Sequence, residues 1–158
     1  MPDEAPFLKL DFDAMMDLAI AQARLGEKIH EVPIGAVLLD AAGVVLASGF
    51  NQPISSNDPT AHAEIVVLRE AGRKLANYRL SDTTLVVTIE PCLMCAGALV
   101  NARVSRVVYG AKEPKWGAME SLLRLEAIGL NHRIEVISGV CEKECGELMR
   151  NFFRSRRE

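Results

Sequence analysis

Two short stretches constrain this chain more than any others: His62-Ala63-Glu64 and Pro91-Cys92-Leu93-Met94-Cys95. Each stands where a helix is expected to start. Pro59 and Pro91 precede them, and proline is tolerated at the first helical positions. Ile65, Leu68 and Leu75 continue the first pattern at helical spacing, so a helix is predicted from Thr60 or Ala61. The second helix is predicted from Pro91-Cys92 to about Asn101. Imidazole and thiolate are ligands that zinc prefers, and zinc held by three protein ligands keeps a fourth position for water. A carboxylate beside that water can carry its proton. These residue types nominate His62, Cys92 and Cys95 as ligands of one Zn2+ ion and Glu64 as the catalytic proton carrier. First-turn amides carry partial positive charge, which favours thiolate over thiol at both helix starts.

Other readings compete for the same residues. Cys92 and Cys95 can be read as a redox pair, which leaves His62 and Glu64 without work. They can also be joined with Cys141 and Cys145 into a structural four-thiolate site. Cys141 and Cys145, however, fall on the apolar face of the last predicted helix, where free cysteine behaves as a small hydrophobe. Glu64 alone can be a first-turn carboxylate favoured by the helix dipole. His30 reads as a surface residue at the end of the first helix. His132 either touches a ligand or caps a turn.

The 158 residues are enough for one domain, 1–158, with a sizeable core. No apolar run is long enough to span a bilayer, so no membrane partner is expected. The acidic N-terminus Met1-Pro2-Asp3-Glu4-Ala5 is unlike the basic start of a secretory signal, and a cytoplasmic protein is expected. In that compartment four cysteines read as thiols or metal ligands before disulfides. The net charge of −3 does not advertise a nucleic-acid binder, but its distribution is uneven. Residues 150–158 carry four arginines and one glutamate, a basic end on an acidic body.

Asp11 is expected to cap a helix over residues 12–29. Ile34 to Leu39 and Val44 to Ala47, joined at Ala41-Ala42-Gly43, read as a hairpin, and Gly49 to Pro59 as a loop. Further strands are predicted at Thr84 to Thr88, Arg106 to Tyr109 and Ile134 to Ile137. The connection from Gly110 to Asn131 is expected to hold a short helix through Leu122, Leu123, Leu125 and Ile128. The last helix places Cys141, Cys145, Leu148, Met149 and Phe152 on one face and Arg150, Arg154 and Arg157 on another. Helices alternating with strands after a hairpin predict an α/β fold with a five-stranded mixed sheet.

His-x-Glu followed by Pro-Cys-x-x-Cys is the known signature of zinc deaminases that act on nucleobases. Beyond that signature the chain resembles the bacterial tRNA-specific adenosine deaminases of the cytidine-deaminase-like superfamily. The resemblance runs through Glu31 to Val37, Gly49 to Ile54, Asp58 to Ile65 and Asn77 to Leu80. It continues through Glu90 to Ala98, Asn131-His132-Arg133 and Phe152 to Arg157. It implies a three-layer α/β/α fold, a homodimer and one Zn2+ per subunit. The implied reaction is hydrolytic conversion of adenosine to inosine at the wobble position of a tRNA anticodon stem-loop. It further implies that Asn51 contacts a flipped nucleotide, that Val32 and Pro33 line its pocket, and that Ala63 and Asn131 also meet substrate. Phe153, Arg154 and Arg157 on the last helix are implied to meet the RNA loop, whose splayed bases stack on aromatic rings.

The chain departs from the family pattern after Tyr109-Gly110-Ala111. Glu113 stands for an aspartate, Trp116 for a small residue and Glu120 for a glycine. Trp116 is either a stacking face for a base or a packing residue. Two other functions stay open on sequence: a deaminase of free guanine or cytosine compounds, and a non-catalytic RNA-binding subunit with a structural zinc.

Overall fold

The computed structural model describes residues 9–157; the acidic stretch Met1 to Ala5 and Glu158 lie outside them. Helix α1 spans Phe12–Lys28, and Asp11 caps it by accepting the Ala14 N–H at 3.1 Å. Strands β1 (Gly35–Leu39) and β2 (Val45–Phe50) form the expected hairpin. Helix α2 is a single turn, Pro53–Ser56. Then follow α3 (Ala63–Leu75), β3 (Thr84–Ile89), α4 (Leu93–Asn101), β4 (Arg106–Ala111), β5 (Glu135–Ile137) and α5 (Glu142–Arg156).

The five strands make one sheet in the order β2-β1-β3-β4-β5. Pairing is antiparallel on both sides of β1 and parallel from β3 through β4 to β5, so the sheet is mixed as expected. Every residue of β1 and of β3 is buried, as in strands covered on both faces. Alternate residues feed two cores. Ala36, Leu38, Leu85 and Val87 join Val67 of α3 and Leu99 of α4. Val37, Leu39 and Val86 join Met16 and Ile20 of α1 and Cys145 of α5. The result is three layers, α/β/α.

The layers are held by apolar burial. Fully burying a side chain such as Met16 or Ile20 contributes about 1.5–3 kcal/mol. The Arg24–Glu144 ion pair between α1 and α5, 3.2 Å long and half exposed, contributes about 0–1 kcal/mol. Helix α1 lies so close to β1 at Gly35 that a Cβ there would sit 2.5 Å from the Ala23 amide nitrogen.

Three details differ from expectation. Strand β2 runs on to Phe50, and α2 occupies part of the predicted loop, its amides at Ile54 and Ser55 donating to buried Glu31. Helix α3 starts at Ala63 rather than Thr60, because Asp58 takes both the Thr60 N–H and its hydroxyl and holds Pro59-Thr60 in a turn. In the 110–131 connection only Leu125–Ile128 is helical, as one 3-10 turn. The Leu122 and Leu123 amides both donate to the Gly117 carbonyl, which bends the chain where the helix was expected to start.

Candidate metal centre

His62 and Cys92 are the residues immediately before α3 and α4, the N-cap positions. The His62 side chain does not bond to the amides of its own helix, and it turns toward Cys92. The capping at α3 falls to Asn51, whose Oδ1 accepts the Ala63 N–H at 2.8 Å. Asn51 is itself fixed at the end of β2 by donating its N–H to the Ile34 carbonyl at 3.0 Å. Strand β3 delivers Cys92, and Cys95 follows within the first turn of α4, fully buried.

The His62 Nδ1 atom lies 3.6 Å from Cys92 Sγ and 3.5 Å from Cys95 Sγ. Zinc bonds of ~2.3 Å to sulfur and ~2.0–2.1 Å to nitrogen, meeting at a tetrahedral angle, place the two donors about 3.6 Å apart. Among the described residues, His62, Cys92 and Cys95 are the group whose ligand atoms all lie within 4.8 Å of one another. The donor set therefore fits a tetrahedral metal with one position left over.

The electrostatics agree. Donation from the Cys95 thiol holds Cys92 down to about 4, against the opposing effect of burial and with further help from His62. The same contact, together with burial, pushes Cys95 up. His62 is raised by its contact with Cys92, and burial opposes this only in part. Burial pushes the Glu64 carboxyl above its usual range, and its own backbone amide, Cys95 and His62 offset that incompletely. Divalent metals bind such sets by displacing protons from the thiols.

A cavity of about 340 Å³ opens beside the ligands, lined by Ile34, Glu64, Glu90, Glu113 and Trp116 with His62 and Cys92. Its size suits one small planar ligand. Glu90 was not singled out on sequence. Its buried carboxylate accepts the backbone N–H groups of Glu113, Met119, Glu120 and Ser121, and the Ser121 hydroxyl. Burial alone would raise it, but these donors outweigh burial and hold it below the usual carboxylate range. The signal was present, since a glutamate follows directly on a strand that is otherwise fully buried. Glu120 accepts the hydroxyl of buried Tyr109 at 2.6 Å, so this departure from the family pattern has a structural partner.

A second cavity, about 300 Å³, shares Ile89 and Glu113 with the first and is lined by Lys112, Arg150, Phe153 and Arg157. Lys112 and Arg150 were not predicted as site residues. Arg154 is exposed but does not line this cavity. Val32 and Pro33 do not line the metal cavity; Ile34, next in the chain, does. Ala63 is fully buried behind His62. The Asn131 side chain accepts from the Arg103 guanidinium at 3.4 Å, and His132 Nε2 sits 2.7 Å from the Val104 carbonyl, a long-range contact. Cys145 is buried in the α1/α5 core, and neither it nor Cys141 joins the group of ligand atoms around His62, which sets aside the four-thiolate reading.

The family model for MafB19-like deaminases matches residues 10–157, so the class defined by fold and site is that of the deaminases. The tRNA-specific adenosine deaminase of Haemophilus influenzae is 43% identical over 157 residues, 98% of this chain and 91% of the relative. A structure from a study of A-to-I editing by tRNA:A34 deaminases at the wobble position superposes with TM-score 0.83 at 45% identity. That match covers 85% of this chain and 98% of the neighbour. The guanine deaminase of Nitrosomonas europaea shares the fold at TM-score 0.78, but at 25% identity over 95% of this chain and 88% of its own. The chain belongs to the bacterial tRNA-specific adenosine deaminase family.

Proposed function

We propose that residues 1–158 form one zinc-dependent deaminase domain that converts adenosine to inosine at the wobble position of a tRNA anticodon. One observation supports the reading: three ligand residues stand at zinc spacing, and two of them, His62 and Cys92, line a cavity together with the buried Glu64 carboxyl, whose pKa is raised. His62, Cys92 and Cys95 hold one Zn2+ per chain. When bound there, zinc supplies the Lewis acidity that lets water lose a proton near neutral pH. Glu64 takes a proton from the attacking water and delivers it to adenine N1 as the water oxygen bonds to C6. It then carries the remaining hydroxyl proton to the C6 amine, and the C6–N6 bond breaks to release ammonia. A carboxyl whose pKa is raised by burial is suited to giving the proton back as well as accepting it.

Asn51 keeps the His62-Ala63-Glu64 turn in place and contacts the flipped nucleotide, with Val32 and Pro33 behind Ile34 at the pocket's edge. Phe153 and Arg157, joined by Lys112 and Arg150, take the neighbouring loop phosphates and bases in the second cavity. Arg154 and Asn131 contact the stem-loop farther out. A second copy of the chain covers the exposed Leu93 and Met94 beside the metal ligands, giving a homodimer. Among the described residues no helix is long and apolar enough to cross a membrane. With tRNA as its substrate, the enzyme works in the cytoplasm.

The test is turnover by the purified zinc-loaded chain of an anticodon stem-loop bearing wobble adenosine, with free adenosine and free guanine as controls. Inosine in the stem-loop with negligible release of ammonia from the free compounds is expected. Brisk deamination of guanine and an untouched stem-loop would replace this reading with the free-base one.

A further inference from the structure

We propose that Trp116 stacks on a base flanking the flipped nucleotide, and that Glu90 is the positioning residue that holds the indole ready to do so. The inference deepens the RNA-deaminase reading and rests on it.

Trp116 is the single tryptophan of the chain, and it lines the metal cavity while remaining 68% exposed. An indole packed for stability alone is normally well buried. This ring is left in water at the rim of the cavity lined by Glu64, His62 and Cys92. It is nevertheless mounted firmly. The Gly117 N–H donates to the Glu113 carbonyl at 2.8 Å and closes a turn around it. The Ala118 N–H donates to the Pro91 carbonyl at 2.9 Å, and Gly117 bridges to Cys92, a metal ligand. Glu90 gathers the amides of Glu113, Met119, Glu120 and Ser121, on both sides of Trp116. A Cβ at Gly117 would collide with the Glu90 carboxylate and sit 2.6 Å from the Glu113 carbonyl oxygen, so the turn is pressed against its anchor.

An exposed aromatic ring on a pre-ordered mount loses little freedom when a planar partner lands on it. The metal cavity has room for the reacting base, so a ring at its rim meets the next base along the strand. Stacking of that kind tolerates any base. The cations of the adjoining cavity, Lys112, Arg150 and Arg157, supply the matching phosphate contacts. A free nucleoside has no flanking base, so this contact favours a loop over a nucleoside.

The sole tryptophan gives a direct readout. In a zinc-loaded Glu64→Gln background, saturating stem-loop is expected to quench Trp116 emission, and free adenosine is not. In otherwise native enzyme Trp116→Ala is expected to raise KM for the stem-loop about tenfold, the scale of one lost base stack, with little change in kcat. Trp116→Phe restores most of the loss, and an abasic site at the flanking nucleotide abolishes the difference between Trp116 and Ala. Glu90→Gln is expected to raise KM in the same way while zinc content and kcat hold; a purely structural role would reduce active enzyme without moving KM. If that variant does not fold, Ser121→Ala removes one donor to Glu90 and should raise KM by a smaller factor. Stem-loop turnover with unchanged emission and an unchanged KM in Trp116→Ala overturns the stacking role and leaves the deaminase reading standing. No stem-loop turnover by native enzyme overturns both.

Discussion

Glu64 and Glu90 face the same cavity and expose almost the same small fraction of their surface, 4% and 3%, yet they are tuned in opposite directions. Burial pushes Glu64 up, and the few groups around it do not compensate. Glu90 feels burial too, but four backbone amides and a hydroxyl converge on it and hold it down. Low solvent exposure alone therefore does not decide what a buried carboxyl becomes; how deep the charge sits and how many donors are aimed at it act together. One is left able to move a proton, and the other is locked as a charged anchor for the cavity wall.

The comparison can be broken at several points. The largest effect is expected from the ligands that Glu64 serves: Cys95→Ala should release the metal and abolish turnover, read by elemental analysis beside the stem-loop assay. Full activity in a metal-free Cys95→Ala protein would end the metal reading. Next, Glu64→Gln should keep the metal and lower kcat by ~10²–10⁴-fold, the usual worth of a positioned acid–base group. Retention of native kcat would reassign the proton carrier.

Glu90→Gln should cost stability rather than proton transfer. Losing charge-assisted acceptance from this many donors is worth about 1–3 kcal/mol, or a Tm lower by roughly 3–10 °C in a chain of this size. Calorimetry that finds no change would mean the anchor is dispensable.

The smallest effect extends the comparison to a third buried carboxylate. Glu31 is 1% exposed and receives the Ile54 and Ser55 amides at 3.2 and 2.7 Å. Burial raises it, but these donors prevail and hold its folded pKa below the usual glutamate range. A depressed folded pKa gives stability that is present above the unfolded value and is lost as pH falls through the folded one. Native protein should thus lose more stability than Glu31→Gln between about pH 5 and the folded pKa. Parallel acid unfolding curves for the two would count against the donors as the cause.

Much of the site was legible because it is local chemistry. His62, Cys92 and Cys95 are the right residue types at helix starts, and the structure brings their donor atoms within 3.5–3.6 Å of the imidazole. The β1–β2 hairpin and β3 were equally visible, since their apolar runs are bounded by turn residues. The late start of α3 was not: Thr60 is held out of the helix by Asp58, and the Ala63 amide is capped by Asn51 from the end of β2. Ile34 lines the metal cavity where Val32 and Pro33 do not, a one-residue distinction that follows from the path out of α1 into β1.

The amino-acid order by itself determined which residues can hold a metal and which runs become strands, because ligand chemistry and apolar periodicity act over a few neighbours. Only the tertiary structure decided how the 110–131 connection is used. Its conformation comes from Glu90, whose partners lie 23 to 31 residues ahead in sequence. It also decided that Trp116 stands at the metal cavity and that Phe153 and Arg157 share a wall with it. Those relations depend on which distant backbone amides a single buried charge collects, and no local pattern encodes that.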